Sequence, residues 1–312
     1  IAVIQFSFIV LRWVWKKMFQ GIDLDPGELA NLREWTRKGP VIYVPSHKSH
    51  IDYLVLNYIL YDNHLHIPRT AAGKNLAFWP LGSYFRKTGA FFIRRTFKGA
   101  RLYSTVFSRY IKALLQENTP LEFFIEGGRS RSGKLILPKI GFLSILIDAY
   151  RDHYCEDLIF VPTSIVYDRI LEGQAYLKEL GGGKKKAENL QQFVGIRRFL
   201  KKKYGKIYIR FGQPISLKQY LTEKPYLEDK KHKHLAFHII RSINKVTLVT
   251  PMAIMASAIL AKHRRGFQMQ EIMETAEAFL EFIKTRGVPV ADSLQQCEKA
   301  MEETLVVLLR SN

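Results

Sequence analysis

His47 and Asp52, within residues 45–52 (PSHKSHID), are a pair able to move a proton. On a continuous helix, residues five apart point well over a quarter-turn away from each other. They meet only if His47 lies in the loop before a helix and Asp52 in its first turn. Ser49 is a suitable N-cap and would start the helix where that geometry requires it. An imidazole oriented by a carboxylate can take a proton from a hydroxyl and return it to a leaving group. Plainer readings use the same residues. Ser49 and Asp52 also read as a capping box, and His47 with His50 as a metal pair for which only Asp52 offers a third ligand. His50 is a second candidate base, although it falls in the helical turn rather than in the loop.

Three further clusters follow or form apolar runs. Residues 89–95 (GAFFIRR) run from an apolar strand directly into Arg94 and Arg95, charges suited to an anion at a strand end. Residues 123–134 (FFIEGGRSRSGK) pass from a strand into Glu126, Gly127 and Gly128, then Arg129, Ser130, Arg131 and Lys134. Glycines let backbone N–H groups approach a ligand, and arginines offer planar bidentate donors for phosphate. The spacing is not that of a P-loop, because Lys134 is followed by Leu135 rather than Ser or Thr. A phosphomonoester cradle is what remains. Residues 160–168 (FVPTSIVYD) read as wall rather than reagent.

These residues need elements to position them. Short branched or aromatic runs at 41–44, 90–93, 121–125, 158–166 and 207–211 read as strands. Segments 51–61, 98–116, 142–150 and 187–203 read as helices by length and apolar spacing. Strands alternating with such helices imply crossover connections. The expected class is therefore α/β, with a largely parallel or mixed central sheet flanked by helices and catalytic groups at the strand C-termini. After Pro225 no strand-like run remains, and the chain reads as helical. Expected units are an N-terminal segment over 1–38, an α/β domain over 39–227 and a helical C-terminal subdomain over 228–312.

The chain has 312 residues, 47% hydrophobic and 24% charged, which excludes disorder and low-complexity classes. Its 48 Lys and Arg against 28 Asp and Glu give a net charge of +20, so an anionic partner or surface is expected. Two cysteines cannot form a disulfide framework, and reduced thiols are the simpler reading. Residues 1–19 are apolar but broken by Gln5, Ser7 and Arg12 and end near Lys16 and Lys17, too short and interrupted for a span. Trp13 and Trp15 suit an amphipathic helix in the headgroup region; the alternative is a helix packed on the core. Residues 246–261 read as a buried helix begun by Pro251.

In this order the four clusters resemble the motifs of the glycerolipid acyltransferase family, in particular its bacterial and mitochondrial membrane-bound glycerol-3-phosphate acyltransferases. His47 and Asp52 match the family's H-x4-D motif, Arg95 its substrate-binding arginine, Glu126, Gly127, Arg129 and Ser130 its E-G-x-R-S block, and Val161 and Pro162 its fourth block. The resemblance runs from about residue 40 to residue 248. It implies transfer of a long-chain acyl group from acyl-CoA or acyl-carrier protein to the sn-1 hydroxyl of glycerol 3-phosphate, at the cytoplasmic face of a membrane. His47 would be the base and Asp52 its orienting partner, while Ser46 and Ser49 would not be nucleophiles. Arg95, Arg129 and Arg131 would hold phosphate, with Arg94 and Lys134 in support, and Glu126 would hold the glycerol hydroxyls or an arginine. No metal and no cofactor is called for. Dihydroxyacetone phosphate and lysophosphatidic acid are alternative acceptors. From another class, a basic nucleic-acid-binding protein has only the charge in its favour, without an RNP, KH or zinc-finger signature.

Overall fold

The computed structural model describes residues 2–79, 81–94, 99–181, 200, 202–224, 231–262 and 266–309. The chain opens with α1 (Ala2–Met18), β1 (Gly21–Leu24) and α2 (Pro26–Trp35). Then come β2 (Val41–Pro45), α3 (Asp52–Asp62), β3 (Arg69–Gly73), α4 (Leu81–Lys87), β4 (Phe91–Ile93), α5 (Arg101–Gln116), β5 (Leu121–Glu122) and α6 (Gly141–Arg151). Next are β6 (Ile159–Tyr167), α7 (Gly173–Leu180), β7 (Lys206–Phe211), β8 (Ile215–Ser216) and α8 (Leu217–Glu223). The rest is helical: α9 (Lys231–Lys245), α10 (Pro251–Lys262), α11 (Met269–Thr285) and α12 (Cys297–Leu309).

The strands form one mixed sheet in the order β1-β7-β6-β2-β5-β3-β4, with β8 added to β6. β2 runs parallel to both β5 and β6, and β3 parallel to β5 and β4. The β6 pairings with β7 and β8 are antiparallel. A strand buried on both faces needs apolar residues at every position, and β2 (VIYVP) is buried throughout. Its side chains alternate: Ile42 and Val44 enter a core with α5, α6, α8 and α9, while Val41 and Tyr43 enter one with α1, α2 and α3. The sheet is thus covered on both faces. α10, α11 and α12 pack around a core of their own, including Met255, Ile272 and Met301. As the sequence predicts, α10 starts at Pro251 and is buried along one side.

Several elements differ from expectation. β1, β3 and β8 read GIDL, RTAAG and IS, too short or too poor in branched residues to declare themselves; pairing with neighbours makes them strands. β1 joins residues 21–24 to β7, so the N-terminal segment contributes an edge strand to the sheet. Residues 231–245, assigned above to the C-terminal subdomain, form α9, whose Leu235, Ile239 and Ile243 pack in the sheet's own core. The expected strand 121–125 is paired only over Leu121–Glu122. The expected helix 187–203 falls largely outside the described residues.

Candidate active site

The parallel strands β2, β4, β5 and β6 all deliver their C-terminal ends to one side of the sheet. β2 ends at Pro45, and the Ser46 N–H still donates to the Thr163 carbonyl (2.9 Å), so His47 leaves on a fixed backbone. Its Nδ1 lies 2.9 Å from Asp52 Oδ2. His47 keeps 16% of its side chain exposed, whereas Asp52 is fully buried. Asp52 Oδ2 also accepts the backbone N–H groups of Lys48 (2.7 Å) and Ser49 (2.9 Å), and Oδ1 accepts the Tyr167 hydroxyl (2.6 Å). The imidazole stacks on Phe124, with ring centroids 3.8 Å apart. With Nδ1 committed to Asp52, Nε2 is the nitrogen left to take a proton.

The loop-then-helix placement of the pair is as the spacing requires, but the cap differs. α3 begins at Asp52 with Ile51 in the cap position and no side-chain cap. Only the returning half of a capping box exists, from Asp52 to the Ser49 N–H. The Ser49 hydroxyl donates to Glu172 Oε2 (2.8 Å), and its oxygen accepts the Ile51 N–H (3.4 Å). The His50 N–H donates to Glu172 Oε1 (2.8 Å).

After β5 the chain turns sharply. Gly127 adopts φ +63, a backbone that favours glycine, and a Cβ there would lie 2.5 Å from Lys139 Cδ, so the lysine side chain would have to move. Around Gly128 a Cβ would meet nothing. Glu126 is buried, and its two oxygens accept the backbone N–H groups of His47 (2.9 Å) and Ile136 (2.9 Å). Burial raises its pKa and these bonds oppose the rise. Glu126 thereby fastens the histidine loop to the glycine loop. Ser130 reinforces the same join, its N–H donating to the His47 carbonyl (2.8 Å) and its hydroxyl to the Lys134 carbonyl (2.5 Å).

The cations divide. Arg129 Nη1 donates to the Tyr176 hydroxyl (2.8 Å) and approaches Glu172 (3.5 Å). Arg131 pairs with Glu179 (2.7 Å) and donates to the Arg129 carbonyl (2.8 Å). Both guanidinium groups lie near the Tyr176 ring, 5.6 and 5.7 Å from its centroid. Lys134 is exposed and meets the loop through its carbonyl. Arg94 is exposed and lies over the Tyr103 ring. Arg95 lies outside the described residues.

Sequence reasoning missed four residues. Tyr167 ends β6, the strand read as wall. Burial and the Asp52 charge hold its phenol well above the ordinary range, so it remains a donor to that carboxylate. Glu172 and Tyr176, four apart at the start of α7, bind the histidine loop and Arg129 together; the Tyr176 hydroxyl also donates to the Lys48 carbonyl (3.0 Å). Their i,i+4 spacing was the available signal. Lys48 is itself buried.

An α/β sheet with a base–carboxylate pair and a cationic glycine loop at its strand ends defines the acyltransferase class, and residues 28–166 match the Acyltransferase family model. Residues 176–312 match the model of the glycerol-3-phosphate acyltransferase C-terminal region. The chain thus carries an acyltransferase domain followed by a region that matches the C-terminal part of glycerol-3-phosphate acyltransferases. It is 37% identical to the glycerol-3-phosphate acyltransferase of Pasteurella multocida, over 95% of this chain and 38% of that protein. With the one from Hamiltonella defensa it shares 38%, over 90% of this chain and 36% of the relative. The chain thus spans under two fifths of the length of these curated relatives. The 1-acyl-sn-glycerophosphate acyltransferase of Thermotoga maritima gives a TM-score of 0.42 at 17% identity, covering 76% of this chain and 78% of that one.

Proposed function

We propose that this chain transfers a long-chain acyl group from a thioester, acyl-CoA or acyl-carrier protein, to the sn-1 hydroxyl of glycerol 3-phosphate. The observation that carries the reading is the His47–Asp52 pair at 2.9 Å, fastened through Glu126 and Ser130 to an arginine-bearing loop. One side supplies a base for a hydroxyl, the other cations for a phosphate on the same small molecule.

In this mechanism His47 Nε2 takes the hydroxyl proton while Asp52 stabilises the imidazolium. The oxygen attacks the thioester carbonyl carbon, a C–O bond forms, and collapse of the tetrahedral intermediate breaks the C–S bond. The leaving thiolate takes the proton back from His47, giving 1-acylglycerol 3-phosphate and a free thiol. No acyl-enzyme is needed. Arg95, Arg129 and Arg131 serve the phosphate, with Arg94 and Lys134 in support.

An apolar cavity of about 210 Å³ lies between α1, α3 and α4 and reaches His50. Ile4, Phe8, Leu54, Tyr58 and Phe85 line it, which suits an acyl tail. Among the described residues no helix is long and apolar enough to cross a membrane. α1 nevertheless exposes Phe6, Ile9, Val10 and Trp13 on one side, and we assign that side to an anionic lipid surface.

The test is a labelled acyl-transfer assay with glycerol 3-phosphate and each donor type, with vesicles present. The expected product is 1-acylglycerol 3-phosphate, lost in His47→Ala. Preferential acylation of dihydroxyacetone phosphate or lysophosphatidic acid would overturn the choice of acceptor.

A further inference from the structure

Lys48 sits between the proposed base and the residues that clamp it, and the mechanism above leaves its side chain unused. Its peptide is fully engaged: the N–H donates to Asp52 Oδ2 (2.7 Å) and the carbonyl accepts from Tyr176 (3.0 Å). Its ammonium has no hydrogen bond or ion pair among the described residues, although the residue is only 8% exposed. Nor is the ammonium among the fully buried polar atoms left without a partner, a group that includes Asn57 Oδ1 and Glu122 Oε1. The little surface Lys48 keeps therefore includes its charged end.

The carboxylates around Lys48 are taken up by other donors. Arg129 shares the Tyr176 hydroxyl with the Lys48 carbonyl, and Arg131 lies over the same ring. Asp52 and Glu126 act on the Lys48 charge, but both already accept hydrogen bonds at both oxygens. Glu172 and Glu179 are engaged by Ser49, His50 and the arginines. A nearly buried ammonium without an anion of its own is costly, and an incoming phosphate would relieve that cost.

We propose that the Lys48 ammonium binds the phosphate of the acceptor and selects for phosphorylated over neutral acceptors. The inference rests on the acyl-transfer reading and names a ligand that the sequence motifs did not supply. Lys48 follows His47 directly, with Cα atoms ~3.8 Å apart, so base and cation can serve two ends of one three-carbon molecule. A lysine acts here as a point charge, leaving the planar contacts to Arg129 and Arg131. Burial lowers the pKa of Lys48 while Asp52 and Glu126 raise it; a bound dianion would act in the same direction as those carboxylates.

The experiment compares glycerol 3-phosphate with glycerol as acceptor in the unmodified chain, Lys48→Met and Lys48→Arg, each checked for folding by circular dichroism. The readout is the ratio of kcat/KM for the two acceptors. Lys48→Met is expected to lower that ratio about ten- to a hundred-fold, mainly through KM for glycerol 3-phosphate, the range for a charged hydrogen bond. Lys48→Arg is expected to restore most of it. Should Lys48→Met fail to fold, Lys48→Gln is measured in the same way. An unchanged ratio, with both acceptors losing equally or neither losing, overturns the proposal. If the unmodified chain does not acylate glycerol 3-phosphate but accepts another phosphorylated alcohol, the function reading fails. The Lys48 proposal is then decided on that alcohol and its dephosphorylated form.

Discussion

At Asp52 one carboxylate takes hydrogen bonds from His47, Lys48 and Ser49 on one oxygen and from Tyr167 on the other. A cap alone would tolerate asparagine, which caps as well as aspartate. An amide cannot present an acceptor to all four donors or stabilise an imidazolium, so Asp52→Asn is expected to lower kcat on the order of 10³- to 10⁴-fold in a folded protein. His47→Ala should cost roughly 10²- to 10⁴-fold. Near-normal turnover in His47→Ala would move the chemistry to His50, and near-normal turnover in Asp52→Asn would make Asp52 a helix cap. Deeper in the sheet, Glu122 is fully buried with one hydrogen bond, from Thr70 (2.8 Å), and burial pushes its pKa to about 8. Unfolded, it would titrate near 4.5. Between these values the folded chain holds a proton that the unfolded chain releases, so stability falls as pH rises from 4.5 through 8. Glu122→Gln keeps the shape and the Thr70 bond without the charge. It should flatten that fall, seen as urea midpoints that converge with the parent at pH 5 and exceed it at pH 9. Parallel curves for the two proteins would mean that Glu122 is already ionised in the fold.

At the scale of elements, the turn after β5 gives a paired test. Gly127 needs a left-handed backbone and has Lys139 against its missing Cβ, whereas a Cβ on Gly128 would stand in open space. Gly127→Ala is expected to cost about 1–2 kcal/mol of stability and to reduce turnover through the Glu126–His47 bond; Gly128→Ala should do neither to a comparable degree. Equal melting temperatures for the two variants would show that the turn tolerates the change. The same turn marks what could be read in advance. β2, β6 and β7 are buried and branched, and α5 carries Phe107, Ile111, Leu114 and Leu115 on one face, so their patterns stand out. The His47–Asp52 pairing followed from spacing and a loop–helix junction. What stayed hidden depends on chain-distant contacts: β1 and β3 become strands through partners, and Tyr167, Glu172 and Tyr176 reach the site only once β6 lies beside β2. Glu126 carried the motif, but its bonds to two backbone N–H groups depend on where the turn aims its oxygens.

At the scale of the whole molecule, the question is how a chain of net charge +20 with an amphipathic α1 would meet the lipid surface proposed for it. The two tryptophans of α1 part company: Trp13 is 53% exposed, while Trp15 is 5% exposed and packs against Phe19 and Tyr58. The expectation that both lie at headgroup depth therefore holds at most for Trp13; Trp15 anchors the helix to the sheet's core. Phe8 stacks on Tyr58 in the same seam, so the inner face of α1 is fold and the outer face, with Phe6, Ile9, Val10 and Trp13, is exposed, Lys17 lying over the Trp13 ring. The seam also walls the apolar cavity, so a lipid-facing α1 would bring that cavity to the surface from which acyl chains come. Replacing the whole helix would remove core as well as surface, which makes surface substitution the cleaner experiment. Phe6→Ser with Ile9→Ser and Trp13→Ser should leave the melting temperature close to the parent and strip the salt-resistant part of binding to anionic vesicles. The basic charge contributes on the order of 1 kcal/mol per residue near the surface and is screened by salt, so the parent should weaken in high salt without releasing. Trp15→Ser should instead lower the melting temperature. If the parent releases completely in high salt, or the triple variant binds like the parent there, the outer face of α1 is not the lipid contact, and charge alone holds the chain to the surface.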